Sequence, residues 1–137
     1  MRAIRGKNTR PELAIRRALH SAGFRFRLHS HQLPGKPDLV LSRYKAVVFV
    51  NGCFWHRHDC ALFKLPVERR AFWQNKLAAN VDRDTRAISD LTDLGWRVAT
   101  VWECALKGRA KLAQEAVVSA LSDWLRSNDQ HLDIRGK

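Results

Sequence analysis

The chain has 137 residues, a length that suits one domain with its own hydrophobic core. It carries 25 Lys and Arg against 13 Asp and Glu, a formal net charge of +12 that favours a polyanionic partner, nucleic acid before an anionic membrane surface. There is no apolar run that would span a bilayer, the first residues lack the hydrophobic stretch of a secretory signal, and three cysteines make a poor disulfide framework, so we expect neither a membrane-spanning nor a secreted, disulfide-bonded protein.

The first part of the chain predicts one helix and three short strands. The capping-box pattern Thr9-Arg10-Pro11-Glu12 predicts the start of a helix over residues 10–21. Alternating apolar and basic residues then predict a half-solvated strand over 24–28, and a second short strand is expected over 38–41. The continuous apolar run 46–50 predicts a central strand buried on both faces.

The second part predicts a long helix, a strand and a last helix. An apolar stripe indicates a helix over about 68–94, alternation indicates a strand over 96–102, and a further helix is expected over 113–125. This order of elements implies an α/β fold, a mixed central sheet flanked by helices on both faces. We expect a single domain over residues 1–127 and a flexible C-terminal tail over 128–137.

Metal-ligand chemistry is concentrated in the loop Gly52-Cys53-Phe54-Trp55-His56-Arg57-His58-Asp59-Cys60. The remaining cysteine, Cys104, lies far downstream. Three thiolates and one imidazole complete a tetrahedral zinc shell, so the loop predicts a structural zinc site with one histidine left over. The ligand can be either His56 or His58, and three reduced, buried thiols are the alternative to a metal site.

Asp38 is a candidate ligand for a second metal. It enters a short strand directly after a proline-rich turn, where a carboxylate can cap the turn or bind Mg²⁺. Followed by a buried strand, it resembles the metal-binding half of a restriction-endonuclease-like (PD-(D/E)XK) core. The acidic residue and lysine that complete such a core are missing, because the corresponding place reads Phe49-Val50-Asn51.

Longer motifs resemble the very short patch repair endonuclease (Vsr) family over nearly the whole chain. Those that carry the resemblance are Leu33-Pro34-Gly35-Lys36-Pro37-Asp38, Gly52-Cys53-Phe54-Trp55-His56, Phe72-Trp73-Gln74-Asn75-Lys76, Asn80-Val81-Asp82-Arg83-Asp84 and Trp102-Glu103-Cys104. The resemblance implies a restriction-endonuclease-like fold in which a histidine replaces the missing acid–lysine pair. It also implies an Mg²⁺-dependent DNA endonuclease with a structural Zn²⁺, which nicks one strand 5′ of the thymine in a T·G mismatch.

The resemblance also implies ligands for both metals. The family's zinc ligands match Cys53, His58, Cys60 and Cys104. Its magnesium ligands match the carboxylate of Asp38 and the main-chain carbonyl of Val50.

Four further residues match catalytic positions of the family. His56 matches the residue that activates the attacking water, a task that suits imidazole near neutral pH. Glu12 matches an acid that holds water next to the metal, although helix capping alone explains its presence. Asp84 matches an acid near the histidine, with pairing to Lys76 on a solvated helix face as its alternative. Asn51 stands where the family usually has a histidine, so it either donates a hydrogen bond at the phosphate or lowers turnover.

DNA contacts are implied for seven residues: Phe54, Trp55, Trp73, Met1, Ile4, Lys76 and Asn80. The aromatic members match wedges that unstack a base step. Met1 and Ile4 match residues that enter from the opposite groove. A T·G pair opens more easily than a matched pair, so deformability contributes to selection. The many basic residues predict steep salt dependence of binding.

The implied partners are double-stranded DNA with a T·G mismatch and mismatch-repair proteins. We expect a monomer in the bacterial cytoplasm, associated with the nucleoid and acting in DNA repair. Family members are expected to carry a longer basic arm before the position of Met1, and a shorter arm would weaken the minor-groove grip. Two alternatives stay open: a related nicking endonuclease with a different DNA target, and a zinc-stapled DNA-binding module without catalysis.

Overall fold

The computed structural model describes residues 9–137, so the predicted DNA contacts of Met1 and Ile4 lie outside the described residues. The helices are α1 (Arg10–Ser21), α2 (Arg70–Asp93), α3 (Glu103–Leu106) and α4 (Gln114–Leu125). The strands are β1 (Arg27–Leu28), β2 (Leu39–Leu41), β3 (Ala46–Asn51), β4 (Arg97–Trp102) and β5 (His131–Ile134). None of the described helices combines the length and apolar character needed to cross a membrane.

The five strands form one mixed sheet in the order β1-β2-β3-β4-β5. The β1–β2 and β2–β3 pairs are antiparallel, whereas the β3–β4 and β4–β5 pairs are parallel. The long crossover between β3 and β4 contains α2, as a parallel pair requires. The predicted mixed α/β sheet with flanking helices is therefore confirmed.

Each face of the sheet has its own apolar core. On one face, Val48 packs with Leu19 of α1 and Leu121 of α4, and on the other, Val47 packs with Leu91 of α2. These side chains are fully buried, and each such burial stabilises the fold by roughly 1.5–3 kcal/mol. Neighbouring residues of β3 point to opposite faces, so its apolar run serves both cores.

The strand expected over 24–28 is shorter in the structure. It pairs with β2 only over Arg27–Leu28, opposite Val40 and Leu39. Phe24 turns into the core instead, with its ring centroid 5.5 Å from that of Tyr44.

The expected flexible tail over 128–137 is corrected by the structure. Residues His131–Ile134 form β5, which pairs in parallel with β4. Leu132 and Ile134 pack on the α1/α4 side of the sheet, and this apolar side, together with the open edge of β4, explains why the segment is ordered. The sheet therefore extends beyond residue 127.

The topology brings the ends of all five strands to one edge of the sheet. β1, β3, β4 and β5 point towards this edge, and the antiparallel β2 starts from it. The residues at these ends include His29, Asp38, Asn51, Glu103 and Arg135. Chemistry-bearing residues that are distant in sequence thus meet at one edge.

Candidate active site and metal centre

Four side chains form a buried group that we call the cysteine cluster: Cys53, His58, Cys60 and Cys104. Their ligand atoms all lie within 4.8 Å of one another. The His58 Nδ1 atom is 3.6 Å from the Sγ atoms of both Cys53 and Cys104. Tetrahedral coordination with zinc–ligand bonds of about 2.0–2.3 Å separates nitrogen and sulfur by roughly 3.5 Å. The spacing and the donor types therefore fit a four-coordinate metal ion.

Main-chain bonds shape the loop that carries this cluster. The His58 N–H donates to the Cys53 carbonyl at 2.8 Å, and the Cys60 N–H donates to the His58 carbonyl at 2.9 Å. The Cys53 N–H donates to the Glu103 carboxylate at 3.1 Å, which ties the loop to the end of β4. These bonds hold Cys53, His58 and Cys60 together in one short loop, and Cys104 joins them from α3.

Burial sets the protonation chemistry of the cysteine cluster. It raises the pKa of the Cys53 thiol, which disfavours an isolated thiolate. It lowers the pKa of His58, which favours the neutral imidazole that metals bind. The His58 ring stacks on Trp102 with centroids 3.8 Å apart and an interplanar angle of 8°, so its plane is fixed. A bound cation would compensate the thiolate charge that burial disfavours.

Asp38 lies at the start of β2, where two main-chain bonds fix its position. Its own N–H donates to the Val48 carbonyl at 3.1 Å, and its Oδ2 atom accepts a hydrogen bond from the Val50 N–H at 2.7 Å. Burial raises the pKa of Asp38 to about 6, against the opposing effect of the Val50 bond. A cation bound to this carboxylate would favour its charged form.

Glu12 is buried in the first turn of α1, with 1% of its surface exposed. Its N–H donates to the Thr9 hydroxyl at 3.3 Å, so the helix is capped by Thr9. The Glu12 carboxylate lies 3.3 Å from the Arg16 guanidinium and 2.5 Å from the His29 Nε2 atom. Together with Asp38 it forms a group whose ligand atoms lie within 4.8 Å of one another. We call Glu12, His29 and Asp38 the carboxylate cluster; its oxygen donors are the type that Mg²⁺ binds.

Sequence reasoning missed His29. Its N–H donates to the Asp38 carbonyl at 2.9 Å, which extends the pairing of β1 with β2 by one step. The signal was available in the register of this hairpin, because a residue opposite Asp38 must lie at the same edge of the sheet. The two-residue length of β1 hid that register.

His56 contacts Asp84 across the space between the loop and α2. The imidazole Nδ1 atom and the Asp84 carboxylate form a hydrogen-bonded pair, with 26% and 34% of the two side chains exposed. The structure thus places His58 against the sulfurs and His56 against Asp84. Lys76, the alternative partner of Asp84, is exposed on α2.

One cleft is lined by four of the predicted catalytic residues, Asp38, Asn51, His56 and Asp84, whereas Glu12 is not among its lining residues. It has a volume of about 580 Å³ and lies between α2 and the edge of the sheet where Asp38 and Asn51 meet. Predicted site residues among those that line it are Asp38, Val50, Asn51, His56 and Asp84. Lys36, Arg83 and Arg86 also line it and supply positive charge suited to phosphate groups.

Phe54, Trp55 and Trp73 form a partly exposed aromatic cluster beside this cleft. The ring centroids lie 5.0 Å apart for Phe54 and Trp55, 5.5 Å for Phe54 and Trp73, and 5.9 Å for Trp55 and Trp73. The Asn80 side chain donates to the Trp55 carbonyl at 3.0 Å, which holds the loop against α2. Phe72, next to Trp73, is 43% exposed and extends the cluster, a contact that the adjacent aromatics in the sequence could have indicated.

Comparison with known proteins gives a consistent result. The family model described as DNA mismatch endonuclease Vsr matches residues 1–62. The DNA mismatch endonuclease Vsr of Escherichia coli (strain K12) is 49% identical over 125 residues, which cover 91% of this chain and 80% of that protein. The type II nicking enzyme V.XorIIP of Xanthomonas oryzae is 52% identical, with 77% of this chain and 78% of the relative covered.

A second nicking enzyme extends the comparison. The type II nicking enzyme V.NmeAIP of Neisseria meningitidis is 43% identical, with 80% of this chain and 79% of the relative covered. These relatives are named a DNA mismatch endonuclease and nicking enzymes, in agreement with the predicted DNA endonuclease class. The chain therefore belongs to the DNA mismatch endonuclease Vsr family, which makes it an enzyme of the DNA endonuclease class.

Proposed function

We propose that this chain nicks one strand of duplex DNA 5′ of the thymine in a T·G mismatch, in an Mg²⁺-dependent reaction. The observation that carries the proposal is the cleft at the sheet edge, where Asp38, His56 and Asp84 meet. Relatives that are named a mismatch endonuclease and nicking enzymes support both the substrate and the single-strand cut.

His56 acts as the general base in this proposal. The Asp84 carboxylate accepts a hydrogen bond from the His56 Nδ1–H, which leaves the lone pair on Nε2 to take a proton from the attacking water. The water oxygen then bonds to phosphorus as the bond from phosphorus to one sugar oxygen breaks, and this leaving oxygen keeps the electron pair and takes a proton from solvent. Asn51 also lines the cleft, where its amide can donate a hydrogen bond to a phosphate oxygen.

The carboxylate cluster supplies the residues that would hold Mg²⁺. Asp38 of this cluster would provide an oxygen ligand together with the carbonyl of Val50, whose N–H bonds to Asp38, and Glu12 would hold water next to the ion. Bound there, Mg²⁺ would stabilise the negative charge that develops on the phosphate during cleavage. Lys36, Arg83 and Arg86 line the same cleft and would orient the DNA backbone.

The cysteine cluster would hold Zn²⁺ as a structural ion. Its three sulfurs and one nitrogen leave no ligand position for substrate, which is typical of structural sites. His56 lies between Cys53 and His58 in the chain, so fixing these two ligands also fixes the general base. With a metal bound, Cys53, His58, Cys60 and Cys104 would hold the catalytic loop against the end of β4.

The aromatic cluster would serve as a wedge at the mismatch. Its rings pack on one another and stay partly exposed beside the cleft, ready to insert into a weakened base step. Asn80 would act by holding the Trp55 main chain, and Lys76 by contacting phosphate from α2. Met1 and Ile4 would enter from the opposite groove.

The setting follows from the same proposal. We infer a restriction-endonuclease-like fold in which the His56–Asp84 pair takes the place of the acid–lysine pair. The protein would work as a monomer on DNA in the bacterial cytoplasm and cooperate with mismatch-repair proteins.

A strand-resolved cleavage assay tests the proposal. Duplexes with a T·G pair, a matched pair or other mismatches are incubated with and without Mg²⁺. We expect one nick, 5′ of the mismatched thymine, only with Mg²⁺, and its loss in Asp38→Ala and His56→Ala. The exposed residues Asp123 and His20 offer matched controls, Asp123→Ala and His20→Ala. Equal cleavage of matched DNA would indicate a different target, and binding without nicking at millimolar Mg²⁺ would indicate a non-catalytic module.

A further inference from the structure

His29 bridges two segments of the carboxylate cluster. Its N–H bonds to the Asp38 carbonyl at 2.9 Å, and its Nε2 atom lies 2.5 Å from the Glu12 carboxylate. We propose that His29 is a positioning residue that holds the Glu12 carboxylate at the distance from Asp38 that one divalent cation requires. This inference rests on the proposed function, because it assumes that both carboxylates converge on a cation.

Electrostatics explains why a bridging residue is needed. Glu12 and Asp38 come from different elements, α1 and the start of β2, and their negative charges repel each other at this separation. Glu12 is 1% exposed, so its carboxylate also needs hydrogen-bond donors in place of water. Arg16 is one donor, but it lies on α1 and moves with Glu12. His29, by contrast, contacts Glu12 with its side chain and Asp38 with its main chain, so it links the two segments.

The backbone of His29 has a conformation that serves this contact. Its φ angle is +49°, in the left-handed region that few residues other than glycine adopt. The main-chain bond of His29 to Asp38 is the last contact of the β1–β2 pairing, while the side chain reaches the first turn of α1. Strained residues of this kind cluster at functional sites.

Cation binding without DNA tests the inference. Free Mn²⁺, used as a paramagnetic probe, is counted by electron paramagnetic resonance during titration of the protein. Leu and Gln carry the same left-handed backbone cost, but only Gln has a donor. We expect His29→Leu to weaken Mn²⁺ binding about 10–100-fold and His29→Gln to stay within about threefold of the wild type.

The outcomes separate the inference from the proposed function. Wild-type Mn²⁺ affinity in His29→Leu would overturn the positioning role, and equal loss in both variants would make the imidazole itself a ligand and overturn it too. Unchanged Mn²⁺ binding in Asp38→Ala would instead contradict the proposed cation site. His29→Asn, which tolerates left-handed backbone but is too short to reach Glu12, should match His29→Leu and guards against a folding defect.

A separate set of contacts carries a second inference about residues 131–137, which we call the C-terminal strap. The Gly136 N–H donates to the Cys104 sulfur at 3.3 Å, and Asp133 accepts a hydrogen bond from the Trp102 indole at 2.8 Å. The Arg135 guanidinium contacts the Asp59 carbonyl. We infer that the strap is the outer shell of the cysteine cluster and slows the loss of its metal.

The approach of the strap depends on glycine. A Cβ atom at Gly136 would lie 2.5 Å from the Cys104 carbonyl and 2.7 Å from the Ala110 carbonyl, both main-chain atoms that cannot move aside cheaply. Without a side chain, the Gly136 N–H reaches a ligand sulfur. An N–H bond to a thiolate spreads its negative charge, and such outer contacts also orient the ligands.

Zinc release tests the strap independently of nuclease activity. Zinc-loaded protein is mixed with a chromophoric chelator, and the rate of colour formation is measured. We expect Gly136→Ala to release zinc about 10–100-fold faster than the wild type. Gly23→Ala is the control for a Gly→Ala change remote from the cysteine cluster, because Gly23 has a positive φ of 99° but open space around its Cβ position. Release from Gly136→Ala at the rate of the wild type or of Gly23→Ala would overturn the inference.

Discussion

The cysteine cluster and the carboxylate cluster lie at the same edge of one sheet but are built differently. The first has soft donors, three of them buried, and is covered by the C-terminal strap. The second has oxygen donors, and its Asp38 opens into a cleft of about 580 Å³. A closed shell of soft ligands suits an ion that stays, and an open set of oxygen ligands suits an ion that meets a phosphate. At one edge of the sheet, the buried cluster of soft donors thus suits a stabilising role, and the accessible cluster of oxygen donors suits a chemical role.

The largest expected effect comes from breaking the closed cluster. Cys53→Ser removes a fully buried sulfur of the cysteine cluster, and we expect it to lower the free energy of unfolding by at least about 3 kcal/mol, because binding of the proposed metal would contribute directly to folding. Urea unfolding with and without a zinc chelator measures this. The chelator should destabilise the wild type and leave the variant unchanged; an insensitive wild type would contradict a metal-stabilised fold.

A substitution in the carboxylate cluster should lower activity strongly and leave the stability of the fold intact. We expect Asp38→Asn to lower the nicking rate by roughly 10³-fold, because it weakens the cation ligand. The fold should not suffer. In protein without added Mg²⁺, the buried Asp38 has a pKa raised from 3.8 to about 6, so the folded state binds this proton more tightly than the unfolded chain.

The pH dependence of stability checks this balance. The stabilisation from protonated Asp38 is complete below about pH 4 and is lost as the pH rises through about 6. Asp38→Asn lacks this ionisation, so it should be more stable than the wild type at pH 8, with a difference that shrinks below pH 4. Urea unfolding at pH 4, 6 and 8 measures it. A variant that is less stable than the wild type at pH 8 would count against the burial effect.

The His56–Asp84 pair stands between the two clusters and should be more tolerant. We expect Asp84→Asn to lower the turnover rate about 10–100-fold with little change in KM, because the amide no longer holds the His56 tautomer. Single-turnover and steady-state kinetics on a T·G duplex measure the split. Asp82→Asn, an exposed acid on the same helix, is the control. A change confined to KM would assign Asp84 to DNA binding instead.

The smallest effect on function is expected from Asn80, which holds the main chain of the aromatic cluster at Trp55. Asn80→Ala removes the hydrogen bond to the Trp55 carbonyl, worth about 0.5–1.5 kcal/mol, so binding of T·G DNA should weaken roughly 3–10-fold. Fluorescence anisotropy with labelled duplexes measures it, and Asn75→Ala on the exposed side of the same helix is the control. Equal weakening on matched DNA would argue against a role at the mismatch.

Local patterns predicted much of the fold and the meeting of the three cysteines with a histidine, whereas the choice of His58 over His56 came from the family resemblance. The helix over residues 10–21 has the predicted bounds, because a capping residue and a terminal glycine mark both ends. Cys53, His58 and Cys60 lie so close in sequence that their meeting needed only a turn. The approach of Asp84 to His56 followed from the family resemblance and helical spacing.

Long-range pairing explains what the sequence did not reveal. His29 reaches Glu12 and Asp38 only because β1 and β2 pair in one particular register. β5 forms because β4 offers an open edge, which a polar segment such as 128–137 does not announce. The need for glycine at position 136 comes from the main-chain carbonyls of Cys104 and Ala110, which come close to it only in the folded sheet.

One indole ring connects the two halves of the site. Trp102 stacks on His58 at 3.8 Å and meets the His56 ring edge-on at 6.1 Å. The ring that stacks on the proposed metal ligand, His58, therefore also lies beside the proposed general base, His56. A displacement of that ring when the ion leaves would misalign the base before any strand separates. Zinc supply would then govern how many molecules can cut DNA, and the emission of this tryptophan would report the change.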